Sequence, residues 1–205
     1  MPHPNRIAPD GTFTTLPHRG AFMGNRGRLH DDTGAIRRPW ASPAWITCTL
    51  RDKPGRPNPG VLPARGYTRL FFADEAVAMA AGHRPCAECR RAAYRVFRAA
   101  WGDAFGPPGP VRHLARDMDR VLHGARGLRP VTDIARLPDH AFILWQAIPH
   151  RIAGTHLIPF THGAYGAAIP RPDAPAPLLT PAPLVAILAA GYRPAMSAAD
   201  DRPNW

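Results

Sequence analysis

The stretch Phe71-Phe72-Ala73-Asp74-Glu75-Ala76-Val77-Ala78-Met79-Ala80-Ala81-Gly82-His83-Arg84-Pro85-Cys86-Ala87-Glu88-Cys89-Arg90 decides how the chain is read. Its first residues close an apolar, aromatic run that predicts a strand over 67–72. Asp74 then stands where a helix N-cap belongs, ahead of Glu75 to Ala81, because a short carboxylate satisfies the free backbone N–H groups of a first turn. Gly82 supplies the residue that ends the helix, and Pro85 prevents it from resuming. Cys86-Ala87-Glu88-Cys89 follows, a C-x-x-C knuckle whose short spacing turns two thiolates toward one ion. A thioredoxin-like redox pair wants a strand before the motif in a βαβ setting, whereas here a helix stop precedes it.

Working upstream, Trp45-Ile46-Thr47-Cys48-Thr49-Leu50 is β-branched and aromatic and predicts another strand. It brings a third thiol, so Cys48, Cys86 and Cys89 offer three soft ligands, and a tetrahedral Zn2+ lacks only a fourth. His30, on a hairpin-length arm leading to the Cys48 strand, is the residue this reading selects. His83, His18, Asp31 and Asp32 are the alternatives, and a water in that position would make the zinc catalytic instead of structural. Residues 1–45 carry turn signals at Pro9-Asp10-Gly11, His18-Arg19-Gly20, Gly24-Asn25-Arg26-Gly27 and Asp32-Thr33-Gly34, which suit short strands joined by tight turns.

Downstream, Tyr94, Phe97 and Trp101 recur at helical spacing, which predicts a helix beginning at the cysteine pair and burying that stripe. Its other face is basic, with Arg90, Arg91, Arg95 and Arg98. Gly106-Pro107-Pro108-Gly109-Pro110 reads as a domain boundary. Beyond it come a helix over 111–124, two or three strands over 141–160, a short helix over 182–190 behind Thr180-Pro181, and a disordered tail over 196–205. The expected fold class is α+β, with a small zinc-stabilised domain over 1–104 and a smaller α+β unit over 111–195. Ala80-Ala81-Gly82-His83-Arg84-Pro85 is echoed by Ala189-Ala190-Gly191-Tyr192-Arg193-Pro194. The echo is read as two good helix stops, because the second copy has no cysteines.

Composition bounds the partners. The 205 residues include 26 basic against 15 acidic side chains, a formal charge of +11, and Lys53 is the only lysine. A field of that sign favours polyanions, nucleic acid first. Three cysteines, an odd number with two in one knuckle, argue for a metal in a reducing compartment over a disulfide framework. No apolar run approaches the roughly 20 residues that span a bilayer, and the expected location is cytoplasmic. There is no Walker loop, G-x-S-x-G elbow, H-E-x-x-H or dinucleotide fingerprint, and no H-x-E precedes the cysteine pair.

The stretch 71–90 closely resembles the second half of the Ada-type metal-binding domain, in which an aromatic strand, a short helix and an A-A-G-aromatic-R-P-C-x-x-C segment supply two of four zinc cysteines. The match covers about a tenth of the chain. It implies a small α+β zinc domain with a role in DNA repair or modification, and it makes His83 a packing residue, since that position is usually aromatic. The chain departs from the pattern in having only Cys48 where methyl-accepting members have two cysteines, which puts methyl transfer in doubt. As a whole it resembles small uncharacterised bacterial proteins that share the Gly24-Asn25-Arg26-Gly27 and Ala-Gly-His-Arg-Pro-Cys elements.

The expected function is therefore a zinc-binding protein that binds nucleic acid, DNA in preference to RNA, with Arg26, Arg28, Arg84, Arg90, Arg91, Arg95 and Arg98 contacting phosphates. Two alternatives are a zinc-containing enzyme acting on nucleic acid or a small molecule, with His30 or the Asp31/Asp32 pair in the catalytic role, and a zinc-stapled module that binds an acidic protein.

Overall fold

The computed structural model describes residues 3–51, 60, 66–106 and 114–200, and the architecture is α+β. Strands β1 (Arg6–Ile7), β2 (Phe13–Thr14), β3 (Phe22–Asn25), β4 (Ile46–Cys48), β5 (Leu70–Phe72) and β6 (Arg84–Pro85) form one sheet in the order β2-β1-β5-β3-β4-β6. β3 lies antiparallel to both β4 and β5, with Met23 opposite Cys48 and Gly24 opposite Leu70. Gly24 is required there, because a Cβ would lie 2.3 Å from the Phe72 ring.

Helix α1 (Glu75–Ala80) joins β5 to β6. Asp74 caps it as the sequence predicts, its Oδ1 accepting from the Val77 N–H at 2.8 Å, and Gly82 ends it at φ +84°. β6 runs parallel to β4, and the Cys86 N–H donates to the Thr47 carbonyl at 3.0 Å. This pairing delivers the knuckle to the strand that carries Cys48. Helix α2 (Arg91–Phe105) starts beyond the cysteines, not at them as expected. The knuckle occupies the intervening turn, where the backbone N–H groups of Glu88 and Cys89 turn toward the Cys86 sulfur instead of entering a helix.

The remainder comprises α3 (Ala115–Ala125), β7 (Val131–Asp133), β8 (Phe142–Trp145), β9 (Ile148–Ala153), β10 (His156–Thr161), β11 (Ala164–Tyr165), β12 (Ile169–Pro170), β13 (Pro175–Pro177) and α4 (Ala182–Ala189). β8 to β11 form an antiparallel meander with β12 added on β10, and β7 pairs with β13.

The two expected units, 1–104 and 111–195, share one core. Phe97 and Trp101 of α2 and Met79 of α1 pack in the same cluster as Leu122, Ile143, Leu184 and Tyr192. Apolar stripes on α2 and α4 bury each other, so the Gly/Pro-rich boundary, of which 107–113 lie outside the described residues, separates no cores. The tail expected to be disordered from 196 is folded as far as 200. Ala195 exchanges backbone and side-chain bonds with Glu75, and Asp200 Oδ2 accepts from the Met196 and Ser197 N–H groups. Residues 201–205 lie outside the described residues. No described helix is long and apolar enough to cross a membrane.

Candidate metal centre

Cys48 from β4 and Cys86 and Cys89 from the turn before α2 place their sulfurs within 4.8 Å of one another, and all three side chains are buried. The donor chemistry fits a thiophilic ion: three sulfurs at metal-sharing distance, with backbone N–H groups aimed at them. Hydrogen bonds from Cys48 and Cys89 hold the Cys86 thiol far below its ordinary range, and the N–H groups of Cys89 and Glu88 reinforce this against burial. The Cys48 thiol moves the other way, raised by its bonds with Cys86 and Cys89 and by burial. Such sharing of charge among three sulfurs is what a bound cation resolves, since every ligating cysteine must be a thiolate.

Met23 and Tyr67 pack against the cluster, with the Tyr67 hydroxyl 3.9 Å from Met23 Sδ. The Tyr67 hydroxyl is pushed up by burial and then by Cys48. The sequence reading missed both neighbours. Only the register of β3 on β4, which sets Met23 opposite Cys48, reveals the first.

His30 does not join the cysteines. It is 6% exposed, and its Nδ1 lies 2.5 Å from Thr68 Oγ1. That oxygen already accepts from the Leu29 and His30 N–H groups, so its own O–H donates to the ring and fixes the proton on Nε2. Among the described residues no fourth histidine, aspartate or glutamate completes the cluster. His83 is fully enclosed, 4.6 Å from the Phe72 ring and 5.2 Å from the Trp45 ring between centroids.

The acidic loop residues stand apart as well. Asp31 staples its own turn, accepting from the Thr33 N–H and hydroxyl, the Ala35 N–H and Arg37 Nε. Those bonds, Thr33 first and then Arg37, hold its carboxyl below the usual carboxylate range. Asp32 is exposed in an ion pair with Arg28 at 2.6 Å. The loop that offered an acid/base group is a built turn.

The seven candidate phosphate contacts divide sharply. Arg91, Arg95 and Arg98 are exposed along α2, and Arg28 is half-exposed beside Asp32. Arg84 and Arg90 are not available, because each is buried against a carboxylate, and Arg26 is buried as well. Arg84 forms a bidentate pair with Asp119 at 2.8 and 2.7 Å. Arg90 forms one with Glu75 at 2.7 and 2.8 Å, and Tyr192 and Ala195 complete the Glu75 oxygens. Buried ions persist only when paired and hydrogen-bonded in this way. Arg26 donates from Nε to His83 Nε2 at 3.1 Å.

No family model matches the chain, and neither the curated proteins nor the solved structures contain a match to it.

Proposed function

We propose that the protein holds a structural zinc ion on Cys48, Cys86 and Cys89 and docks on nucleic acid, DNA in preference to RNA, through the solvent face of α2. The observation that carries the reading is the exposure of Arg91, Arg95 and Arg98, which at spacings of four and three residues project from one helical face immediately after the knuckle. None of the three is engaged by a carboxylate among the described ion pairs. The formal charge of +11 and the resemblance of 71–90 to the Ada-type domain support the same reading. In this arrangement the metal fixes the turn, the turn fixes the start of α2, and α2 presents its guanidinium groups to phosphates.

The test combines metal analysis with duplex-DNA affinity across a salt series. One zinc per chain is expected, with affinity falling steeply as salt rises. The Arg91→Gln, Arg95→Gln, Arg98→Gln triple variant should keep its zinc and reduce the slope of log affinity against log salt by roughly 2–3, since each lost phosphate contact removes about 0.9. Cys86→Ser should lose the metal and unfold at lower denaturant. A triple variant with unchanged affinity and slope sinks the nucleic-acid reading, and metal-free wild type as stable as the metal-loaded protein sinks the zinc.

A further inference from the structure

Arg26 is 1% exposed, yet it has no carboxylate among the described residues. Besides the bond to His83, the guanidinium carbon sits 3.9 Å from the Trp45 ring centroid and 5.4 Å from that of Phe13. A second guanidinium, Arg126, lies 4.3 Å from the same Trp45 ring. It spends Nε on the Gly82 carbonyl at 3.0 Å and Nη1 on the Pro43 carbonyl at 2.8 Å. Gly82 is part of this seat, because a Cβ there would stand 2.8 Å from Arg126 Cγ.

After these bonds, Arg26 Nη2, Arg126 Nη2 and Trp45 Nε1 are enclosed donors with no acceptor among the described residues. The Trp45 ring thus stands against two guanidinium groups, and the three side chains carry two positive charges and three unused donor nitrogens. The other two fully buried arginines of the chain's first half show what such groups require, since Arg84 and Arg90 each receive both oxygens of a carboxylate. Burial, with Arg126 adding to it, brings the Arg26 guanidinium down to about 9, and burial brings Arg126 to about 10. A bound negative charge would relieve Arg26 and add to what Asp119 supplies to Arg126. On the solvent side stands Trp40, 43% exposed and packed edge-on against His123, which in turn lies 3.2 Å from Arg126 Nη1.

We infer that Arg26, Arg126 and Trp45 form a binding site for a phosphate-type oxyanion. Planar guanidinium groups match the spacing of two oxygens on one centre, two cations balance a dianion, and the indole N–H supplies a further donor. The site uses none of the α2 arginines, so it stands independently of the nucleic-acid reading. Inorganic phosphate and the terminal monoester of an oligonucleotide share this chemistry.

The experiment is calorimetric titration of the full chain with sodium phosphate at constant ionic strength, chloride serving as the control, together with thermal unfolding under the same conditions. Saturable binding and an upward shift of the unfolding midpoint are expected for phosphate alone. Arg126→Gln should weaken binding about tenfold or more, and Trp45→Phe, which keeps the ring and loses the N–H, should weaken it several-fold. Arg26→Gln should abolish binding, and if that variant does not fold the other two decide. Short oligonucleotides with a 5′-phosphate or a 5′-hydroxyl identify the source: tighter binding of the phosphorylated strand than of inorganic phosphate assigns the monoester, and equal binding assigns the free ion. Phosphate indistinguishable from chloride, or full binding retained by both Arg126→Gln and Trp45→Phe, overturns the site.

Discussion

His83 has no exposed surface, and burial, followed by the nearby Arg26 and Arg126 charges, holds its imidazole well below the ordinary histidine range. The folded protein therefore keeps His83 neutral, while the unfolded chain takes up a proton near pH 6.5. Below that value the unfolded state binds the extra proton, so stability falls with falling pH by at most about 1.4 kcal/mol per unit for this one group. His83→Gln leaves an acceptor for Arg26 but nothing to titrate, and urea midpoints at pH 7.5 and 5.5 should differ less in the variant than in the wild type. Equal differences would show that the acid sensitivity lies elsewhere. Residue identity alone did not disclose which arginines are inside. Arg84 and Arg91 look alike in the sequence, and what separates them is Asp119, 35 positions from Arg84 and readable as a partner only once α3 is placed. The three thiols were legible because soft ligands have few other uses at that spacing. His30 misled because its nearness to the Cys48 strand in sequence is not nearness in space: its ring is taken by Thr68 across the chain.

At the scale of elements, the echo between 80–85 and 189–194 is the same helix stop built twice. Gly82 and Gly191 both adopt positive φ, +84° and +98°, and the residue after each donates its N–H five positions back, His83 to Ala78 and Tyr192 to Ile187. The reading of the echo as helix-ending chemistry rests on residues close in the chain, which is why it was available from sequence. So were the Asp74 cap and the strands at 46–48 and 70–72. The start of α2 was not, because bonds from the backbone to Cys86 override the helical spacing. Alanine at either glycine incurs the left-handed penalty of about 1–2 kcal/mol. Gly191→Ala meets nothing within 4 Å, whereas the Gly82→Ala methyl presses on Arg126. Urea unfolding should therefore show the larger loss for Gly82→Ala, and equal losses would mean that Arg126 moves aside freely.

Over the whole molecule, the mixed α+β class followed from local patterns, while packing between the two expected units lies beyond what local patterns carry. α2 packs against α4, and both join α3 and strands β8 and β9 in one cluster that spans the expected boundary. A single shared core unfolds as one body. Calorimetry and tryptophan fluorescence should report one coincident transition, and a chelator should lower its midpoint without splitting it, since metal binding is coupled to folding. Two separated transitions would restore independent domains. The seam at Glu75 also sets an order of events during synthesis. The carboxylate that secures Arg90, and with it the entry to α2, receives its remaining donors from Tyr192, 117 positions later, and from Ala195. Until residues 192–195 have been made, the Glu75 carboxylate holds Arg90 without its Tyr192 and Ala195 donors, so full closure of the first half depends on a segment more than a hundred positions downstream.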